Sequence, residues 1–436
     1  MSAVPGKNSS TVADRYRAAF DARFSGHDAL TELRRAAFER FAAAGFPTQR
    51  DEDWKYTNLR RLESRNFDLA EPSPAGIDSR WIEGAGTRLV FNNGRYAPAL
   101  ASTLAHPPGV TVLTLGQWAA NDPDEVAAFL ARQESSTTSF STLGSAFFQD
   151  GLVVEIGKSV VLDQPLYVVH QLSGASGAMS HPRIFVRAGA NSRMTLIEHY
   201  LGGNDQESLT NARVSIELAD GARVSHYRIQ QESTRAFHIA DIRARLSANS
   251  HYVCHDVAFG AALARSQLTA TLSGAGAQAH LNGLFAPNGS QHLDTYTLVD
   301  HAAAHTISSE DYRGIAGGRG RGVFRGKVIV REDAQKIDSR QSSRNLLLSP
   351  TAEIDTRPEL EIYANDVKCS HGATTGQIDA NSLFYLRSRG LSEAEARTLL
   401  IRAFAESVLA GMDWKPVRDY LEQRLDERFS GERSNA

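Results

Sequence analysis

The sequence predicts a mostly β chain: a stacked β-solenoid held between helical regions at its two ends, with a large β-sandwich as the competing architecture. Three observations carry this. Between Gly151 and about Pro350 apolar and polar residues alternate, as in LVVEI, RIFVRA, RMTLIEHYL, RVSIELA and RVSHYRI, the period-2 pattern of strands. Small-residue turns recur at Ala188-Gly189-Ala190, Asp220-Gly221-Ala222, Ala248-Asn249-Ser250 and Gly274-Ala275-Gly276. They are spaced roughly 26 to 32 residues apart, a repeat that suits coils burying their faces only against the next coil. On both sides of this region the period changes to 3.6. The chain therefore divides into 1–145, mainly helical with a short hairpin, a β core over 146–375, and a helical region over 376–436.

In chain order, residues 11 to 62 read as helical. Val12, Tyr16, Phe20 and Phe24 recur every fourth position, Leu30, Leu33, Ala37, Phe38 and Phe41 continue the stripe, and Gly45 with Pro47 ends it. An aromatic stripe at this spacing is packing rather than a cofactor box. Trp54, Tyr56, Leu59 and Leu62 form a shorter segment. In RLVFNNGRY, Asn93-Gly94 predicts a hairpin turn. Pro123 opens a helix over DEVAAFLARQ, since its missing N–H is harmless in a first turn. The polar run from Ser135 to Thr142 reads as a linker. After Gly390, Ser392 with Glu395 forms a capping box. Ala396, Leu399, Leu400, Ala403, Phe404 and Val408 make one apolar face, and Pro416 opens a last helix carrying Val417, Tyr420, Leu421 and Leu425.

Composition narrows the function. A hydrophobic fraction of 42% and a charged fraction of 22% are those of an ordinary globular protein, and a net charge of -3 gives no reason to expect nucleic acid or an anionic membrane as partner. The opening MSAVPGKNSSTV lacks a signal-peptide core, and no apolar run reaches about 18 residues. Two distant cysteines, Cys254 and Cys369, make no disulfide framework. The expectation is a cytoplasmic protein without a membrane span.

The glycine-rich segment from Gly314 to Lys327 fails as a phosphate loop, because only three residues separate Gly322 from Gly326 and Val328 follows Lys327. Arg313, Arg319, Arg321 and Arg325 lack stacking aromatics apart from Phe324, which argues against RNA. Turns and close packing account better for the glycines, and the chain shows no ATP site. Twelve of the fourteen histidines lie between His170 and His371, several on strands. They read as hydrogen-bonded strand residues rather than a metal route. In His251-x-x-Cys254-His255 the last two point to opposite faces of a strand, which makes Cys254 a small core residue.

The stretch RPELEIYANDVKCSHGATTGQIDANSLFYLRSRG, from Arg357 to Gly390, holds the chemistry. Cys369 and His371 are the side-chain types that bind iron, zinc or copper near neutral pH. They read as a small loop at a strand-to-helix boundary, with Gly372 serving a turn or close approach. On spacing alone, a buried cysteine beside a hydrogen-bonded histidine accounts for the pair at least as well. A cluster needs about four ligands, mostly thiolates, so with two thiols any cluster handled here is shared or transient.

The string LEIYANDVKCSHGATTGQID with LFYLRSRGL closely resembles the signature of the SufD family, subunits of the SUF iron–sulfur cluster assembly scaffold. The resemblance extends through YRGIAGGRGRGVFRGKVIVREDAQK and LLLS, and to DEDWKYTNLRRL near the amino end. It implies a right-handed parallel β-helix with helical flanks. It also implies a non-catalytic subunit that pairs with SufB, which shares the architecture but lacks the KCSHGAT segment. Its carboxy-terminal helices would bind the ATPase SufC, and the resemblance leaves a homodimer open. His371 matches the histidine implied in iron entry or ligation at the SufB interface, with Cys369 a second ligand to transient iron or a nascent cluster. Two alternatives stand beside it: a structural adaptor in which both residues are inert, and a β-solenoid carbohydrate-active enzyme using acids such as Glu310, Asp311, Asp338 and Asp355.

Overall fold

The structure, a computed structural model, describes residues 12–71, 78–102, 107–133, 138–174, 176–203 and 205–429. The opening segment read for a signal peptide therefore lies outside the described residues, apart from Val12. The chain is mostly β, a solenoid of about seven turns flanked by helices. The sandwich alternative fails because, past the antiparallel pairs at the amino-terminal end, neighbouring strands are parallel and one coil apart. Leu209 pairs with Phe237, Phe237 with Leu263 and Leu263 with His292, steps of 28, 26 and 29 residues.

Each coil contributes one strand to each of two sheets. The first sheet ends with His292–His301, Arg321–Val330 and Glu353–Ile362; the second ends with Ile307–Ala316, Ile337–Leu347 and Val367–Gln377. Apolar rows from both sheets, among them Leu196, Cys254, Leu281, Ile242 and Val328, fill the interior between them.

The recurring turns stack at one corner of successive coils, where Asn191, Gly221, Asn249 and Gly276 all have positive φ. Asn191 N–H donates to Asp220, Gly221 to Ala248 and Asn249 to Ala275. Asparagine and glycine alternate for a steric reason. A Cβ on Gly221 or Gly276 would come within 2.3 Å of the amide oxygen of the asparagine one coil earlier, and these two residue types tolerate the left-handed conformation best. At Asn93-Gly94 both φ are positive and the expected hairpin forms between Thr87–Asn92 and Arg95–Tyr96.

The amino-terminal helices Val12–Arg23 and Ala29–Ala44 cover the first sheet. Tyr16, Phe20, Phe38 and Phe41 join Phe140 and Phe147 over Leu209, Phe237, Ile239 and Leu263. The expected linker is corrected here: Ser139–Phe147 is a buried helix. Thr138 caps it through Ser141 N, and the hydroxyls of Ser141, Thr142 and Ser145 return to carbonyls one turn back. Polar side chains thus satisfy one another locally and the helix can be buried. Residues 134–137 lie outside the described residues, and residue 145 falls inside this helix.

The DEDWKYT motif is a strap across the last coils of the first sheet. Trp54 lies against Arg265, 4.3 Å from guanidinium to ring centre, and stacks on Phe140. Thr57 bonds Asp294 and His292. Asp53 meets Arg325 at 2.7 Å, and Glu52 pairs with Arg357 on the last strand.

Helices Glu393–Leu409 and Lys415–Phe429 cover the second sheet with Ile401, Ala405, Leu409, Val417, Leu421 and Leu425. The expected face is corrected at Leu399, which is 46% exposed, and at Ala403, also exposed, because the helix turns Ile401 and Ala405 inward beside Ala396 and Val408. The capping box at Ser392 is present in both directions. Ser392→Ala should cost about 1 kcal/mol, read as a lowered denaturant midpoint with an unchanged slope. Among the described residues no helix is long and apolar enough to cross a membrane.

Candidate functional site

Cys369 and His371 sit on the terminal strand of the second sheet, not on a loop, which corrects the sequence reading. Val367–Gln377 pairs in parallel register with Ile337–Leu347 along its whole length, so the preceding coil templates an extended backbone. Gly372 has no positive φ, and a Cβ there would meet no atom within 4 Å. Its small size serves neither a turn nor a close approach within this chain.

The strand places both donors on one row, since residues two apart face the same side. That row continues the interior of the solenoid. Val367 and Cys369 still pack against the apolar core, while Ser370 to Gly376, His371 included, are exposed because no coil follows. Burial, and then the charge of Asp338, raise the Cys369 thiol above its ordinary range. It stays protonated at neutral pH, and a metal would have to displace that proton. Among the described residues no three His, Cys, Asp or Glu side chains converge as a metal-binding group, so this pair alone is an incomplete ligand set.

Behind His371, the register partner is Gln341, whose own partner one coil back is Glu310. Gln341 donates its amide N–H to Glu310, and both are buried. Deeper in the same interior lies a charged cluster. Arg228 reaches Asp256 at 2.8 Å and Glu198 at 3.8 Å, and Glu198 also accepts from His226 and Tyr200. Burial works to raise the Glu198 carboxyl, but His226 and Arg228 prevail and hold it down to about 2.

Several of the other strand histidines are hydrogen-bonded within the fold, whereas both ring nitrogens of His170 are buried without a hydrogen-bond partner among the described residues. His199 bridges Tyr167 and Gln231, and His301 sits between Thr306 and Ser308. Burial pushes both imidazoles down to about 4, so they stay neutral. Cys254 is buried in the interior while its neighbour His255 faces out toward the helices. Three of the four glycine-region arginines are engaged within the fold, Arg313 with Ser407, Arg321 with Asp355 and Arg325 with Glu359, while Arg319 is exposed. The carboxylates weighed for sugar chemistry do not pair. Glu310 lies inside, Asp338 binds Arg340 and Asp355 binds Arg321.

Sequence reading missed the Glu310–Gln341 pair and the Arg228 cluster. Their signal is like parity in strands one coil apart, which becomes visible only when the length of each coil is known.

Fold and site together define a helix-flanked β-solenoid that presents a thiol and an imidazole on an open terminal coil. The SUF system FeS cluster assembly SufBD core domain matches residues 170–404, and the SufBD protein N-terminal region matches 14–168. The chain belongs to this SufBD family. It is 29% identical over 99% of both chains to the iron–sulfur cluster assembly protein SufD of Escherichia coli. It is 33% identical to an iron–sulfur cluster assembly SufBD family protein of Synechocystis, covering 87% of each chain. A SufBD family protein of Mycobacterium tuberculosis is 27% identical, with 88% of this chain and 89% of the relative covered.

Proposed function

We propose that this chain is a SufD-type, non-catalytic subunit of a cytoplasmic iron–sulfur assembly scaffold. It pairs with SufB through the open end of its solenoid and binds the ATPase SufC through its carboxy-terminal helices. His371, with Cys369 beside it, takes part in holding iron or the nascent cluster, which is cargo rather than a resident cofactor.

The observation that carries this reading is the uncovered last coil. Both sheets stop at strands with a free edge among the described residues, Glu353–Ile362 and Val367–Gln377, and a long free edge is a template for another chain's strands. His371 stands exposed on one of those edges. Two thiols cannot complete a cluster alone, so ligands from a second chain are required. Support for a helix-docking partner is the exposed aromatic group of Tyr363, Phe384 and Tyr385, at 62%, 74% and 57% exposure. A neutral imidazole suits transient holding, since it binds iron near neutral pH and releases it at modest cost.

The test is co-purification with SufB and SufC, then anaerobic iron and sulfide analysis of wild-type and His371→Ala complexes. The complex should form in both cases, with iron and sulfide several-fold lower in the variant. Equal cluster content would leave the chain a structural adaptor and overturn the site.

A further inference from the structure

The interior row that ends at His371 carries an unused acceptor. Leu281, Glu310, Gln341 and His371 are register partners in four successive strands, and adjacent strands are about 4.8 Å apart. Gln341 spends an amide N–H on Glu310, while its carbonyl Oε1 is buried and accepts no hydrogen bond among the described residues. Such a group is costly to leave unmet. The amide cannot turn away. It fills the space over Gly326 on the facing sheet, where a Cβ would lie 2.1 Å from Gln341 Nε2. Only one neighbour in the row lies on the open side of Gln341, and that is His371.

We propose that Gln341, anchored by Glu310, is a positioning residue for His371: its buried carbonyl accepts the ring N–H of His371. The ring turns inward about its side-chain torsions to meet it. One imidazole nitrogen is then the donor and the other keeps its lone pair toward the open end, because a neutral ring has one of each. A metal-binding histidine is commonly oriented this way by the partner of its second nitrogen. The Glu310–Gln341 pair keeps the amide from flipping, so the tautomer is set from inside the solenoid. The metal-binding part of this inference rests on the proposed role of His371; the tautomer part does not.

The experiment is nitrogen NMR of the full-length chain with labelled histidine at about pH 8, where imidazoles are neutral, the His371 ring being assigned by its loss in His371→Gln. In the wild type its two ring nitrogens should be widely separated, as for one dominant tautomer. In Gln341→Leu they should move toward the average of two exchanging tautomers. The double variant Glu310→Gln with Gln341→Glu swaps donor and acceptor but keeps the relay, and it should restore the separation. The His301 ring, held between Thr306 and Ser308, reports that each variant is folded.

In the assembled complex, Gln341→Leu should weaken iron(II) binding about 10- to 100-fold, the usual effect of losing such a partner. Averaged His371 nitrogens in the wild type, or no change in a folded Gln341→Leu chain, overturns the inference. A fixed tautomer together with undiminished cluster in His371→Ala upholds the positioning and overturns the metal role instead.

Discussion

Replacing Arg228 by Met should destabilise the protein by about 3–5 kcal/mol, the range for removing one partner from a buried ion pair. Arg228 is 2% exposed and stands between Glu198 and Asp256, themselves 0% and 6% exposed. Its removal leaves two carboxylates in the solenoid interior with hydroxyl and imidazole partners but no guanidinium. The penalty comes from stranded charge, not from lost volume, since Met fills much of the space. Denaturant unfolding at neutral pH measures it as a lowered midpoint. Removing all three charges together, Glu198→Gln, Arg228→Met and Asp256→Asn, should cost less than Arg228→Met alone. A greater loss in the triple variant would show that the cluster stabilises through its packing instead.

Glu310→Gln should act in the opposite direction, and only at higher pH. Burial pushes the Glu310 carboxyl up to about 7, against the hydrogen bond from Gln341 that lowers it. In the unfolded chain it returns to an ordinary value of about 4.3. Between those values the folded state binds more protons than the unfolded one, so stability falls as pH rises. The contribution is fully present below about pH 4.3 and is lost through about pH 7, a difference on the order of 3 kcal/mol for this shift. Gln cannot ionise and keeps an acceptor for the Gln341 amide. The variant should therefore be more stable than the wild type at about pH 8 by up to that amount, and about equal near pH 4. Unfolding midpoints at the two pH values decide it; a pH-independent difference would mean that Glu310 ionises freely in the fold.

Much of the fold was legible because burial writes itself into residue pattern. The core strands alternate, the helices repeat near 3.6, and the Asn and Gly corners mark each coil. The same rule explains why Val367–Gln377 reads as a loop. VKCSHGATTGQ is the last coil of its sheet, no strand covers it among the described residues, and without burial there is no apolar alternation to read. Ser139–Phe147 hides for a different reason: its hydroxyls bond their own backbone, which makes a polar run compatible with a buried helix. The site pair Cys369 and His371 was legible from residue type and from resemblance. What lies behind it was not, because Glu198, Arg228 and Asp256, or Glu310 and Gln341, are about 30 residues apart and become neighbours only through coil length.

The strap has a consequence for how the molecule comes into being. Glu52 and Asp53 are made early in synthesis, yet their partners Arg357 and Arg325 lie 305 and 272 residues downstream. Coils can stack one upon another as they emerge, but this clasp must wait until Arg325 and Arg357 have been made, and closing so large a loop is slow. The amino-terminal aromatics can dock earlier, once Leu209, Phe237, Ile239 and Leu263 have stacked, so the clasp closes over a surface already covered. The open coil that carries His371 is secured only after Arg357 has been made.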